Sequence, residues 1–134
     1  MKIFIIGSAR NATDEVRQLM EEYVSELERE GHIVHLPHRD TNQQARGLDI
    51  CKQNRDAIAN ADEVHILYDK DSQGSHFDLG VAFAMNKRIR FVLVPEEVHN
   101  EGKSFPKMIA EWIDEERIST NFQIMERVFK RLGT

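Results

Sequence analysis

Short runs of β-branched and aromatic residues alternating with helical stripes constrain this chain more than any other feature. Ile3-Phe4-Ile5-Ile6, ended by Gly7, has the pattern of a strand buried on both faces. After a polar turn, Val16, Leu19, Tyr23, Val24 and Leu27 trace one helical stripe up to Gly31, which reads as the helix stop. His32-Ile33-Val34-His35-Leu36 follows as a second strand closed by Pro37, so the chain opens with a β-α-β unit whose two strands are expected to be parallel. The polar stretch 39–47 has no periodicity and is expected to be a loop, long enough to hint at a functional segment over a site. A helix over 49–60, a strand over 63–68, a helix over 75–86 and a strand over 89–94 ended by Pro95 complete the alternation. Met108, Ile109, Trp112 and Ile113 mark one further helix, and Phe122, Met125, Val128, Phe129 and Leu132 mark a last one. Residues 117–120 are the candidate for a short fifth strand.

This order implies a doubly wound, mostly parallel four- or five-stranded α/β sheet of the flavodoxin or Rossmann kind, with helices on both faces. At 134 residues, with 40% hydrophobic and 31% charged residues, one domain over 1–134 is expected. Such sheets bind ligands beyond the carboxyl ends of their strands, where strand order reverses, so chemistry is sought in the loops after strands one, three and four.

The single cysteine, Cys51, permits no intramolecular disulfide and suits a reducing cytoplasm, the expected location. No run of about 18 apolar residues exists, so neither a membrane span nor a signal peptide is expected, and no membrane partner. Eighteen basic against 23 acidic residues give a net charge of −5, which argues against duplex nucleic acid as a partner. A small anion remains compatible, because one arginine and a few backbone N–H groups can hold a phosphate.

After the first strand, Gly7-Ser8-Ala9-Arg10-Asn11 combines a glycine, a hydroxyl, a guanidinium and a helix start, the makings of a phosphate cradle. Ser8, Asn11 and Thr13 serve equally as turn and cap residues. After the third strand, the stretch 69–80 holds Ser72, Gly74, Ser75, His76 and Asp78. Ser75 as N-cap with Asp78 reaching back would make a capping box. Alternatively, Asp78 in the first turn of a helix at the crevice is kept ionised by the helix field, as a nucleophile or as a partner for a cationic transition state.

Ala61-Asp62-Glu63-Val64, Ser72, Gly74, Asp78-Leu79-Gly80, Ala82 and Asn86-Lys87-Arg88-Ile89, together with Gly7-Ser8-Ala9-Arg10, resemble the core motifs of the nucleoside 2-deoxyribosyltransferase superfamily. Within it the sequence is most similar to the 2′-deoxynucleoside 5′-phosphate N-hydrolases. The resemblance spans most of residues 3 to 109 and fades in the C-terminal helix. It implies cleavage of the bond between a nucleobase and a (deoxy)ribose, by hydrolysis or base exchange, on a nucleoside 5′-monophosphate. The family's nucleophilic glutamate falls on Asp78, and its phosphate-binding residues fall on Ser8, Arg10 and Ser72. Ser104 is the nearest hydroxyl to a phosphate-binding serine that the hydrolases take from a neighbouring subunit. The resemblance also implies a homodimer or larger assembly.

Three positions depart from that pattern. Asp78 is one methylene shorter than the glutamate, which withdraws its carboxylate by about 1.5 Å. A supporting aspartate of the hydrolases falls on Asn54, which cannot accept a proton, and the first-strand tyrosine falls on Phe4, which lacks the hydroxyl on the site floor. Candidate catalytic residues are therefore Asp78 and Asn54, and candidate substrate-binding residues are Phe4, Gly7, Ser8, Arg10, Ser72, Gly74 and Ser104. Two functions follow: an N-glycosidase or transferase acting on a nucleotide or nucleoside, or a protein that binds a nucleotide or phosphosugar without turning it over. No cofactor is expected. His32, His35 and His38 fall on a strand and its loop and are not expected to bind metal.

Overall fold

The computed structural model describes residues 1–8, 12–113 and 122–133. Arg10 and the candidate strand 117–120 lie outside the described residues. In chain order the elements are β1 (Lys2–Ile6), α1 (Asp14–Arg29), β2 (Ile33–His35), α2 (Pro37–Asp40), α3 (Gly47–Asn60), β3 (Glu63–Ile66), α4 (Gln73–Ala84), β4 (Arg88–Phe91), a 3-10 turn (Glu96–His99), α5 (Phe105–Trp112) and α6 (Phe122–Arg131). Among the described residues the sheet has four strands in the order β2-β1-β3-β4, every neighbouring pair parallel. From β1 the chain steps to one side for β2 and returns to the other side for β3, so strand order reverses between β1 and β3.

The alternation of side chains along β1 divides the core in two. Ile3 and Ile5 pack with Met20, Tyr23, Val24 and Leu27 of α1 and with Ile124, Met125 and Val128 of α6. Phe4 and Ile6 point the other way, into a cluster with Ile58 of α3, Leu79 and Ala82 of α4 and Ile109 of α5. Helices therefore cover both faces of the sheet, as expected of the doubly wound architecture. The α1–α6 layer is also tied by charge, because the buried Glu26 of α1 receives Arg127 and Arg131 of α6 as well as its neighbour Arg29.

Hydroxyl residues start three of the helices. Thr13 caps α1 by accepting from the Val16 N–H, Ser72 caps α4 by accepting from the Ser75 N–H, and Ser104 caps α5 by accepting from the Lys107 N–H, each at 3.2 Å. At the other end of α1, Gly31 takes φ +93° while the His32 N–H returns to the Leu27 carbonyl at 3.1 Å, which ends the helix as its position suggests.

Two local expectations change. The stretch after β2 is not uniformly a loop: Pro37 opens the single turn α2, with its missing N–H at a position that needs none, and the Asp40 carboxylate accepts from the Leu36 N–H at 2.8 Å. Helix α4 starts at Gln73, because Ser72 rather than Ser75 is its cap, so there is no capping box between Ser75 and Asp78. Asp78 consequently lies in the second turn of α4 rather than the first.

Candidate active site

The carboxyl ends of β1, β3 and β4 open onto a cleft of about 700 Å³ whose walls include Ser8, Tyr68, Asp69, Glu97, Ser104 and Phe105. Two of the sequence-predicted binding residues, Ser8 and Ser104, thus share one cleft. Asp78, Ser72 and Gly74 are not among its described lining residues.

Asp78 belongs to a second, buried group of polar side chains where α3 packs on α4. Its side chain sits with residue exposure of only 9%, and Asn54 of α3 brings its Nδ2 to within 3.5 Å of Asp78 Oδ2. Thr41, just after α2, donates its hydroxyl proton to Asn54 Oδ1 at 2.7 Å, and His35 Nε2 at the end of β2 meets the Thr41 oxygen at 2.8 Å. The His35 imidazole lies flat on Phe4, with ring centroids 5.4 Å apart and planes inclined by 11°. Four elements, β1, β2, α3 and α4, therefore contribute to one continuous line from Phe4 to Asp78.

Burial sets the protonation of both ends of this line. Desolvation pushes the Asp78 carboxyl up from 3.8 to about 7. This corrects the expectation of a carboxylate kept ionised by the helix field: in the second turn the dipole has faded and the loss of water dominates. Desolvation also holds His35 below the usual histidine value, against the opposing pull of Asp40, so the ring is neutral near pH 7.

The remaining predicted residues have local structural roles. Gly7 is closely approached by α1, since a Cβ there would stand 2.5 Å from the Met20 methyl, which would have to swing aside. Ser72 and Ser104 spend their hydroxyl oxygens on helix caps. Gly74 is exposed in the first turn of α4 with nothing near its missing side chain. Phe4 has no exposed surface and serves as the apolar support under His35.

Thr41 and Tyr68 belong to no motif in the sequence, and His35 stands there only as part of a strand pattern. Tyr68 OH lies 3.0 Å from His76 Nε2, while His76 Nδ1 donates to the Ser72 carbonyl at 2.7 Å, so the imidazole is pinned between the loop after β3 and the cap of α4. Phe105 meets the same ring edge-on at 4.9 Å. Ser75 Oγ, buried in the first turn of α4, has no hydrogen-bond partner among the described residues. Among the described residues no three His, Cys, Asp or Glu side chains gather as a metal site, and no described helix is long and apolar enough to cross a membrane.

The parallel sheet with its helices matches the deoxyribosyltransferase-like α/β fold. The chain is similar to the 2-deoxyribosyltransferase of Bacillus psychrosaccharolyticus, with a TM-score of 0.64 and 16% identity over 93% of this chain and 96% of that one. It is also similar to the CMP N-glycosidase of Clostridium botulinum, with a TM-score of 0.55 and 24% identity over 68% of this chain and 70% of that one. No protein-family model and no curated protein sequence matches the chain.

Proposed function

We propose that this protein breaks the N-glycosidic bond of a (deoxy)nucleoside 5′-monophosphate, passing the sugar to water or to another base. The observation that carries the reading is the pairing of Asp78 with Asn54, a lone buried carboxyl met by an amide on a fold shared with an N-glycosidase and a deoxyribosyltransferase. In the ionised form Asp78 attacks or stabilises the anomeric carbon as the base leaves, since an oxocarbenium-like centre opposite a carboxylate in a water-poor site is strongly favoured. A substrate cation developing there also draws the proton off a carboxyl whose ordinary value has been raised to about 7. Asn54 takes the place of a second carboxylate and supplies a donor, so the two residues do not compete for one proton.

The phosphate is assigned to Ser8 and Arg10 after β1 and to Ser72 and Gly74 at the start of α4, with Ser104 nearby. Helix N-termini and hydroxyls favour such an anion; Arg10 supplies a guanidinium two residues after Ser8 in the sequence, and Lys70 is a cation in the wall of the cleft beside Asp69 and Glu97. The resemblance to the hydrolases also points to a homodimer, for which α4 offers Phe77 and Phe83, and its C-cap Met85, as exposed apolar side chains.

The burial of Asp78 favours a second reading, in which the chain holds a nucleotide without turning it over. Incubation with a panel of ribo- and deoxyribonucleoside monophosphates, followed by chromatography for free base, separates the two. Base release that disappears in Asp78→Asn supports the enzyme. Thermal stabilisation by a monophosphate, lost in Arg10→Ala and with no base released by any substrate, supports the binder.

A further inference from the structure

The hydrogen bonds between His35 and Asp78 have a fixed direction. Asn54 Oδ1 can only accept, so the single hydroxyl proton of Thr41, 2.7 Å away, must be given to it. Thr41 then has no proton left for His35 Nε2 at 2.8 Å and accepts from it, which places the imidazole proton on Nε2. With its oxygen engaged in this way, Asn54 is left with its NH2 group facing Asp78 Oδ2. Thr41, Asn54 and Asp78 are all buried, at 5%, 8% and 9% exposure, so water offers little competition for these partners. Phe4 fixes the plane of the imidazole.

The charged surroundings are unequal at the two ends. His35 is faced by Asp40 and Arg39 of α2. At Asp78 no charged side chain among the described residues acts on the carboxyl, and from α3 its hydrogen-bond partner is the neutral Asn54. The orientation of one amide therefore decides whether Asp78 meets a donor or an acceptor.

We infer that Thr41 and His35 are positioning residues that lock the Asn54 amide with its nitrogen toward Asp78, so that this carboxyl can ionise inside the protein. Released from Thr41, the amide is free to turn its oxygen toward a protonated Asp78 and accept from it, an arrangement that the lock forbids and that favours the neutral carboxyl. The inference deepens the proposed glycosidic reading and rests on it only for the consequence in catalysis. It assigns a task to the segment around α2 that the fold alone does not demand.

The test is the carboxyl titration of Asp78, followed by carbon-13 NMR in the full chain. Thr41→Val is expected to raise its midpoint by about one pH unit, a tenfold change in the ionisation constant, and Thr41→Ser is expected to restore the wild-type value. A side chain that only filled space would leave the midpoint where it was in both variants, and that result in folded Thr41→Val overturns the inference. Two wild-type measurements decide the matter if Thr41→Val does not fold. The His35 ring nitrogens should report the tautomer protonated at Nε2, and the Asn54 side-chain NH2 resonances should move with the Asp78 titration. A ring protonated at Nδ1 alone, or amide resonances indifferent to that titration, overturns it as well. Base release measured in the same variants should have its acid limb displaced together with the midpoint. If wild type releases no base from any monophosphate, the glycosidic reading falls while the amide lock is judged by the titrations alone.

Discussion

Asn54 of α3 directs its side-chain nitrogen at the Asp78 carboxyl of α4 across 3.5 Å, joining residues 24 apart in the sequence. A carboxylate at Asn54 would share a proton with Asp78 and split the titration of the pair, as neighbouring acids do. The amide leaves a single ionisable group, so one titration and one charge govern the candidate site.

Asp78→Asn should remove base release and raise stability at the same time. The folded protein holds the Asp78 proton up to about pH 7, whereas the unfolded chain loses it near 3.8. The native state therefore binds more protons between these values, and stability falls as pH rises through them. At pH 8 the ionised carboxyl costs on the order of 4 kcal/mol, which Asn does not incur. Urea unfolding at pH 8 should show a large gain for the variant, and unfolding near pH 3.5 almost none. Equal midpoints for the two proteins at pH 8 would refute the assignment.

The rate of base release should climb with pH across the neighbourhood of 7, where Asp78 ionises, because a nucleophilic or charge-stabilising carboxylate acts only without its proton. The profile of kcat/KM against pH reports the free enzyme. A rate that is flat or falling from pH 6 to 8 would rule out Asp78 in this role.

Glu26 should act as an acid-sensitive tie between α1 and α6. Its burial opposes ionisation, but hydrogen bonds from Arg131 and Arg127 outweigh that and hold its carboxyl below 4.5. A depressed carboxylate contributes stability above its unfolded value and loses it as pH falls through the folded one. Glu26→Gln should cost about 1 kcal/mol at pH 7, a modest figure because Arg127 and Arg131 remain partly in solvent. Denaturant midpoints at pH 7 and pH 3 for both proteins test this, and the difference should shrink at the lower pH.

Phe4→Tyr should destabilise the fold rather than rebuild a site floor. The ring has no exposed surface and lies against His35, so an added hydroxyl must find room and a partner inside a packed core, at a cost of about 1–3 kcal/mol. Chemical unfolding measures the change directly.

The fold was readable because it rests on periodicity. Ile3 to Ile6 alternate between two cores, and the stripe from Val16 to Leu27 faces one of them. Boundaries read less well where a side chain captured the backbone. Pro37 looked like the end of a strand and is the start of a turn, since the Asp40 carboxylate accepts from the Leu36 N–H. Ser72 shifted the start of α4 and with it the turn that carries Asp78. Asp78 and Asn54 could be named from motif resemblance, whereas Thr41 and His35 could not. Their link closes across the turn of α2 and acquires meaning only when α3 and α4 pack, which no local spacing encodes. Glu63 and His65 likewise sat in a strand pattern without announcing that His65 would be buried between Glu63 and Tyr23.

The sheet's rim on the β2 side carries a further consequence. Among the described strands β2 is outermost, only Ile33 to His35 long, and is cut short by a proline that has no N–H to offer. A strange chain arriving there would find too few free amide and carbonyl groups to extend the ladder, even though Ile33 presents a bare apolar side chain. The turn that delivers Thr41 to its partner thus also guards the molecule against edge-to-edge polymerisation, and loosening α2 would expose both tasks to the same failure.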